Sequence, residues 1–456
     1  MTDVTVLAGK SALMIGSVLA EGSVSPVDLT KHLLDRIDHQ TSPIFVNVTR
    51  ERAMQEAQAS EVRLKSGHAR TPLDGVPIGW KDLIDMKGEI TTAGSDFYRN
   101  APHADCDAPI VANATAAGMV NLGKLNLTEF AYSGLGLNPH FGTPVNPHDT
   151  NTPRAPGGSS SGSAVAVAAG LCPCAIGTDT GGSVRIPAAF NGLVGYKSSE
   201  GRIDGTGVFA LSRTLDTVGP LARSVADCAA LDAVLRGKTV GSITPIPMQD
   251  TAFFVPDGIV LDDLEDAVAE NFEASIRALE AAGATITHGT VPALERSAQV
   301  AAQMGTITAA EAYREHQALV DTASVERIDR RVVARIMIGK AMSSADLEML
   351  RQERERCMHD VRETLAGAFL LMPTAAHVAP VIAPLEADDE IFHTTNLKTL
   401  RNTALGNFLN LPGLAIPNGT GVSSMPTSLL VSSTGGDDDR LLAAGLEIEK
   451  ALRTAC

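Results

Sequence analysis

Two glycine- and serine-rich turns place the first constraint on how this chain can fold. Residues 157–163 read GGSSSGS, residues 181–183 read GGS, and an apolar segment, residues 164–176, joins them. Glycines at this density let the backbone adopt conformations that other residues avoid, and they leave backbone N–H groups uncovered. Serine hydroxyls on such turns are candidate nucleophiles or proton carriers. The stretch 157–187 therefore predicts an acyl-transfer site.

Alternating strand and helix patterns predict an α/β fold. Residues 76–80 form a short apolar run typical of a buried strand, and residues 119–124 also predict a strand. Residues 224–235 are typical of an amphipathic helix. Such elements alternate along the chain, which favours a mixed or parallel sheet. Residues 237–256 are rich in Pro, Thr and Ile and are expected to form a loop.

Charge and aromatic content argue against a nucleic-acid partner. The chain has 37 basic and 53 acidic residues, and the resulting net charge of −16 repels phosphate backbones. Only 4% of the residues are aromatic, so stacking platforms for bases are scarce. No apolar run reaches about 18 residues, so we expect no membrane-spanning helix.

Cysteine usage predicts a reducing, cytoplasmic location. The six cysteines are few and irregularly spaced for 456 residues, so no disulfide framework is expected. They are Cys106, Cys172, Cys174, Cys228, Cys357 and Cys456. Cys172 and Cys174 lie in an apolar run without a second pair, which favours buried thiols over a metal or redox pair.

Three familiar chemistries fit the residues poorly. Residues 158–162 match G-x-S-x-G and nominate Ser160, but the segment before them is Pro-rich rather than a strand, and no later histidine has a convincing context. Neither glycine-rich turn is followed by the lysine of a phosphate-binding loop. His140 and His148 have no partner at metal-ligand spacing, so no metal site is expected.

The remaining chemistry that the residues allow is a serine nucleophile activated by a lysine. Lys81 ends the apolar run 76–80 and is either a surface group or a deliberately buried amine. A neutral lysine can accept the proton of a serine if burial lowers its pKa from about 10.4 toward neutrality. A base of this kind has to lie inside the protein, and the end of a buried strand provides such a position.

Three motifs in this order resemble those of the amidase signature family, whose members use two serines and a lysine. They are residues 75–82 (GVPIGWKD), residues 157–163 and residues 177–187 (GTDTGGSVRIP). The two serines of that family lie 24 positions apart, as Ser159 and Ser183 do (183 − 159 = 24). The strong similarity covers about residues 70 to 220.

The resemblance implies three catalytic residues. Ser183 resembles the nucleophile that forms an acyl-enzyme, and Ser159 resembles the serine that bridges it to the base, with a cis peptide bond between Gly158 and Ser159. Lys81 resembles the base that takes the proton of Ser183 through Ser159. It then returns a proton to the leaving amine and activates water for deacylation.

Further site residues follow from the same resemblance. The oxyanion hole is expected from the backbone N–H groups of Thr180, Gly181, Gly182 and Ser183. Asp179 and Arg185 are expected to brace the turn as an ion pair, and Tyr132 and Ser133 are expected to contact substrate. The pocket walls are expected from the variable segments 126–150, 205–215, 300–345 and 375–400.

The resemblance also implies an architecture: a single α/β domain over residues 1–456, with a central mixed sheet covered by helices on both faces. Within it we expect N-terminal helices over 1–68 and a catalytic core with the motifs over 69–235. We expect a helical insertion and the completion of the sheet over 236–456. The N-terminal helices offer a surface for a homodimer.

The expected reaction is hydrolysis of a small-molecule carboxylic amide, and the same machinery suits an ester or a carbamate. A competing hypothesis is the ammonia-releasing A subunit of a tRNA-dependent amidotransferase. Those subunits usually carry Gln after the motif arginine, whereas Ile186 follows Arg185 here. The same scaffold also suits a dedicated carbamate hydrolase or a non-catalytic binding protein.

Overall fold

The computed structural model describes residues 4–455, and one mixed sheet of eleven strands runs through it. The strands are β1 (Phe45–Val48), β2 (Pro77–Lys81), β3 (Val120–Leu125), β4 (Cys174–Asp179), β5 (Val194–Lys197), β6 (Thr217–Ala222), β7 (Ala252–Pro256), β8 (Thr285–Gly289), β9 (Phe369–Pro373), β10 (Gly413–Thr420) and β11 (Pro426–Ser432). Cys456 lies outside the described residues.

Helices flank this sheet. The first seven are α1 (Ala12–Ala20), α2 (Pro26–Asp38), α3 (Arg50–Lys65), α4 (Pro109–Ala116), α5 (Ser161–Ala168), α6 (Arg185–Phe190) and α7 (Val225–Leu235). They are followed by α8 (Asp266–Ala281), α9 (Pro292–Met304), α10 (Ile307–Val320), α11 (Arg330–Ile338), α12 (Ser344–Leu365), α13 (Ile382–Ala387), α14 (Asp389–Phe408) and α15 (Asp438–Ala455). The predicted α/β class and mixed sheet are confirmed.

The strand order is β1-β3-β2-β4-β6-β5-β10-β11-β9-β7-β8. Strand β2 pairs in parallel with both β3 and β4, whereas β4 and β6 are antiparallel. The carboxyl ends of parallel neighbours meet at the same edge of a sheet. Lys81, Leu125 and Asp179 therefore end three adjacent strands side by side, and the loops that follow these strands share one edge.

Burial explains why apolar and small residues predominate in the central strands. Every residue of β2, β3 and β4 is buried, as expected for strands covered on both faces. The outermost strands, β1 and β8, carry exposed positions. Trp80 lies in this core with its indole N–H donating to Asn121 Oδ1 at 2.7 Å.

The segment after residue 236 differs from the expectation in one place, and it contains one helix that no apolar pattern marks. The composition of residues 237–256 predicts a loop, but β7 occupies Ala252–Pro256 and pairs in parallel with both β8 and β9. Helix α14 has no apolar stripe that predicts it, because the side it buries includes polar side chains. These are Asn396, Thr399, Asn402, Thr403 and Asn407.

Each part of the predicted division contributes strands to the same sheet: β1 lies in 1–68, β2 to β6 in 69–235, and β7 to β11 in 236–456. The boundaries of the three parts stay a prediction. Within residues 4–455, no helix combines the length and the apolar character that crossing a bilayer requires.

A buried ion pair fixes the end of β2. Asp82, which follows Lys81, lies 2.9 Å from the ammonium of Lys124 on β3, and both side chains are fully buried. Removing one partner of a buried pair leaves the other charge without compensation. The pair therefore holds the ends of β2 and β3 together next to Lys81.

We expect Asp82→Asn to lower the free energy of unfolding by about 3–5 kcal/mol, because it leaves the Lys124 ammonium buried without a charge partner. Urea unfolding measures the change. Asp389→Asn, which breaks an exposed pair with Arg330, serves as the control and should change the free energy little, since solvent screens that pair. An equal effect of the two substitutions would contradict the role given to the buried pair.

Candidate active site

Lys81 is a fully buried amine between two hydroxyls. Its Nζ lies 2.7 Å from Ser159 Oγ and 2.8 Å from Thr178 Oγ1, and the side chain has no exposed surface. Among residues 4–455 it forms no ion pair with a carboxylate. The structure therefore brings Lys81 and Ser159 together as the motifs predict, and it adds Thr178 as a second contact.

The surroundings of Lys81 favour its neutral form. Burial lowers the pKa of this amine to about 7, while the carboxylates of Asp216 and Asp179 oppose the shift. Desolvation disfavours a charged amine, and no ion pair compensates for it here. Near neutral pH a large fraction of Lys81 is consequently free to accept a proton.

The turn that carries Ser159 is held by backbone contacts. The peptide bond between Gly158 and Ser159 is cis, as the resemblance implies. A Cβ on Gly158 would lie 2.5 Å from the Gly136 nitrogen, so only glycine fits this close approach. The Ser159 carbonyl accepts from the N–H of Thr128 at 3.1 Å, which fixes the serine beside Lys81.

Ser183 stands in the loop between β4 and α6. Its carbonyl accepts from the N–H of Ser160 at 3.3 Å, which ties this loop to the Ser159 turn. Its hydroxyl makes no hydrogen bond to any residue within 4–455, and the residue lines a cavity. The hydroxyl is thus available to a molecule in that cavity.

Asp179 and Arg185 form the predicted brace. The Arg185 guanidinium donates to both carboxylate oxygens of Asp179, at 2.9 and 3.0 Å, and both residues are fully buried. Asn407 on α14 joins them, since its Nδ2 donates to Asp179 Oδ1 at 2.9 Å. We call this set of three residues the brace, and it holds the Ser183 loop against α14.

The brace also changes one expected oxyanion-hole donor. The Gly182 N–H donates to Asp179 Oδ1 at 2.9 Å, so the brace already occupies this donor. The N–H groups of Thr180, Gly181 and Ser183 have no such partner among the described residues. Gly182 is still required as glycine, because its φ is +135° and a Cβ would lie 2.2 Å from Thr403 Oγ1.

Asp216 lies close to this loop, although none of the three motifs includes it. Its Oδ1 accepts from the Thr180 hydroxyl, and its Oδ2 accepts from the N–H groups of Leu211 and Ser212 at 2.9 and 3.1 Å. Burial raises the pKa of Asp216 to about 6. No local pattern marks this carboxylate, because the fold alone brings residue 216 next to residue 180.

Two neighbouring cavities share part of their lining, and Ser183 lines the smaller of them. We call the smaller cavity, of about 260 Å³, the inner chamber and the larger cavity, of about 630 Å³, the outer chamber. All four predicted variable segments line the inner chamber. Tyr132 and Ser133 come from the first of these segments, and Leu211, Arg335 and Leu397 come from the other three in turn. The two chambers share the following lining residues: Thr180, Gly181, Ala301, Thr306, Thr308, Leu397, Arg401 and Ala404.

Ser160, Cys172 and Cys174 occupy structural positions. Ser160 is fully buried, and its hydroxyl lies 3.4 Å from the Thr178 carbonyl oxygen. The segment that leads into Ser160 is not a strand. Cys172 and Cys174 are free and buried, and burial raises the pKa of Cys172 to about 12. Within residues 4–455, no group of three or more His, Cys, Asp or Glu is arranged to hold a metal ion.

Comparison with known proteins identifies the family. The amidase family model matches residues 28–442, and the chain belongs to this family. A solved structure described as an amidase superposes with a TM-score of 0.86 at 31% identity, covering 97% of this chain and 99% of that one. The chain is an amidase-family hydrolase.

Named relatives differ in their activities. The glutamyl-tRNA(Gln) amidotransferase A subunit of Cupriavidus necator is 32% identical over 489 residues, covering 97% of this chain and 96% of the relative. The 2-amino-5-chloromuconic acid deaminase of Comamonas testosteroni is 33% identical over 404 residues, covering 87% and 86%.

The predicted role of Lys81 as the base implies a pH dependence for the reaction of Ser183 with a sulfonyl fluoride. Because only the neutral amine accepts a proton, this reaction should accelerate as the pH rises through about 7 and then level off. Asp216→Asn removes a charge that raises the pKa of Lys81, so the midpoint should move to lower pH. The measurement is the rate of Ser183 labelling by phenylmethanesulfonyl fluoride across this range; an unmoved midpoint in the variant would contradict the coupling.

Proposed function

We propose that this enzyme hydrolyses a carboxylic amide through an acyl-Ser183 intermediate, with Ser159 as the relay and Lys81 as the base. The observation that carries the proposal is the 2.7 Å contact between Ser159 Oγ and the buried amine of Lys81. A buried amine whose pKa is lowered toward neutrality and that lies beside a cavity is a candidate catalytic base. The free hydroxyl of Ser183 in the adjoining cavity supplies the nucleophile.

Acylation begins with proton transfer away from Ser183. Neutral Lys81 takes the proton of Ser159 while Ser159 takes that of Ser183, and Ser183 Oγ attacks the amide carbonyl carbon. The carbonyl oxygen becomes an oxyanion, which the N–H groups of Thr180, Gly181 and Ser183 stabilise. The C–N bond then breaks as the proton on Lys81 returns through Ser159 to the leaving nitrogen.

Deacylation repeats the sequence with water. Lys81, neutral again, takes a proton from water through Ser159, and the hydroxide formed attacks the ester carbon of acyl-Ser183. The tetrahedral intermediate collapses to a carboxylic acid, and the proton on Lys81 returns through Ser159 to Ser183 Oγ, which regenerates the serine. Esters and carbamates pass through the same oxyanion, so the machinery suits them as well. The proposed reaction requires no cofactor.

A second candidate is the release of ammonia from glutamine within an amidotransferase, for which similarity to the amidotransferase A subunit is the supporting observation. Against it, Ile186 packs in an apolar cluster with Phe190, where those subunits usually carry a polar Gln. Co-purification with a second protein together with glutaminase activity would favour this candidate. The homodimer and the cytoplasmic location stay predictions.

Three substitutions test the catalytic assignments. Lys81→Ala and Ser159→Ala should lower kcat for a small amide by roughly 10²- to 10⁴-fold, the contribution typical of general acid–base catalysis. Ser183→Ala should lower it at least as much, because the nucleophile itself is lost. The measurement is kcat on a panel of aliphatic amides, anilides and carbamates.

Ser160→Ala is the matched control, since Ser160 lies in the same turn and its hydroxyl lies near only a backbone carbonyl. It should keep kcat near that of the unsubstituted enzyme. Near-normal turnover in Lys81→Ala or Ser183→Ala would contradict the mechanism. A loss in Ser160→Ala equal to that in Ser183→Ala would contradict the choice of nucleophile.

A further inference from the structure

Arg335 on α11 brings a positive charge into the inner chamber that holds Ser183. It is half-buried, its guanidinium carbon lies 4.5 Å above the centre of the Tyr132 ring, and its Nε is buried without a hydrogen-bond partner. Among residues 4–455 it forms no ion pair with a carboxylate. Tyr132 therefore orients the guanidinium but leaves its charge uncompensated.

Arg401 on α14 lines the same chamber from a second element. Its Nε donates to Asn402 Oδ1 at 3.1 Å, while its Nη2 is buried and has no partner. Asp262 and Asp263 lie near enough to favour its charged form, but Asp263 pairs with Lys398 at the outer chamber. In the described part of the chain Arg401 forms no ion pair either.

The rest of the inner chamber contains no counter-charge. The described residues that line it include no Asp or Glu, and apolar surface comes from Leu211, Leu397 and Leu400. Buried guanidinium groups are normally paired, and a carboxylate satisfies one with two parallel hydrogen bonds. A chamber that combines two unpaired guanidinium groups with apolar walls is suited to a short hydrocarbon chain that ends in a carboxylate.

We propose that the substrate is a small amide whose acyl part carries a carboxylate, bound by Arg335 and Arg401 while the amide carbon faces Ser183. This inference rests on the proposed function and names its substrate class. Sites for drug-sized ligands span roughly 300–1,000 Å³, so an inner chamber of about 260 Å³ holds a smaller molecule. A monoamide of a short dicarboxylic acid fits this description.

The same lining disfavours a substrate that also carries an ammonium group. Glutamine has its ammonium beside its carboxylate, and in this chamber it would lie near the guanidinium groups. No described residue that lines the inner chamber offers a carboxylate to bind this ammonium, and Leu400 adds an apolar side chain to the wall. The enzyme should therefore prefer glutaramate, which is glutamine without its amino group.

A protection experiment tests the binding step without requiring turnover. Phenylmethanesulfonyl fluoride labels Ser183, and the labelling rate is measured with increasing glutarate or, as its neutral counterpart, pentanamide. Glutarate should protect at a concentration at least about tenfold lower than pentanamide. In Arg335→Gln and in Arg401→Gln the concentration of glutarate needed should rise roughly 10- to 100-fold, the loss typical of a charged hydrogen bond.

Arg330→Gln is the control, because Arg330 lies on α11 but pairs with Asp389 on the surface. It should leave protection by glutarate unchanged. Equal protection by pentanamide and glutarate would overturn the proposal. So would unchanged protection by glutarate in both arginine variants.

Turnover supplies a second readout. The ratio of kcat/KM for glutaramate to that for pentanamide should exceed about ten and fall roughly 10- to 100-fold in either arginine variant. A higher kcat/KM for glutamine than for glutaramate would overturn the inference and favour the amidotransferase candidate. Failure of Ser183 to react with the sulfonyl fluoride at all would instead refute the proposed function, so the two failures are distinguishable.

Discussion

The burial of the Lys81 amine is the interaction on which the rest of this site depends. An ammonium group in the interior without a carboxylate partner is costly, and the protein avoids that cost by favouring the neutral amine. Its two contacts, Ser159 Oγ and Thr178 Oγ1, are hydroxyls, which can form hydrogen bonds with either a charged or a neutral lysine. The position of Lys81 at the end of a central strand therefore lowers the pKa of its amine to about 7.

The sheet explains how distant parts of the sequence reach that lysine. Strands β2 and β4 are parallel neighbours, so Lys81 and Asp179 end at the same edge although 98 residues separate them (179 − 81 = 98). Asp179 then uses its carboxylate to order the turn that carries Ser183, and α14 completes the brace through Asn407. A charged network thus fixes the loop that carries Ser183, while Lys81 forms no ion pair within residues 4–455.

The sequence predicts local parts of the site better than contacts that the fold creates. Lys81 and Ser159 lie in short motifs whose residues also form the strand end and the tight turn, so their positions follow from local chemistry. Asp216 and Arg401 carry no such signal, because they reach the site only through packing. Helix α14 is hard to predict for a related reason: it buries polar residues such as Asn396 and Asn402, so it lacks an apolar stripe.

The central claim is that Ser183, and not a neighbouring serine, carries the acyl group. Acid quenching of the enzyme during steady turnover of 4-nitrophenyl acetate, followed by proteolysis and peptide mass spectrometry, locates that group directly. We predict an acetyl group on Ser183, with none on Ser159 or Ser160. An acetyl group on Ser159 or Ser160, or turnover that leaves no acylated serine when deacylation limits the rate, would contradict this claim.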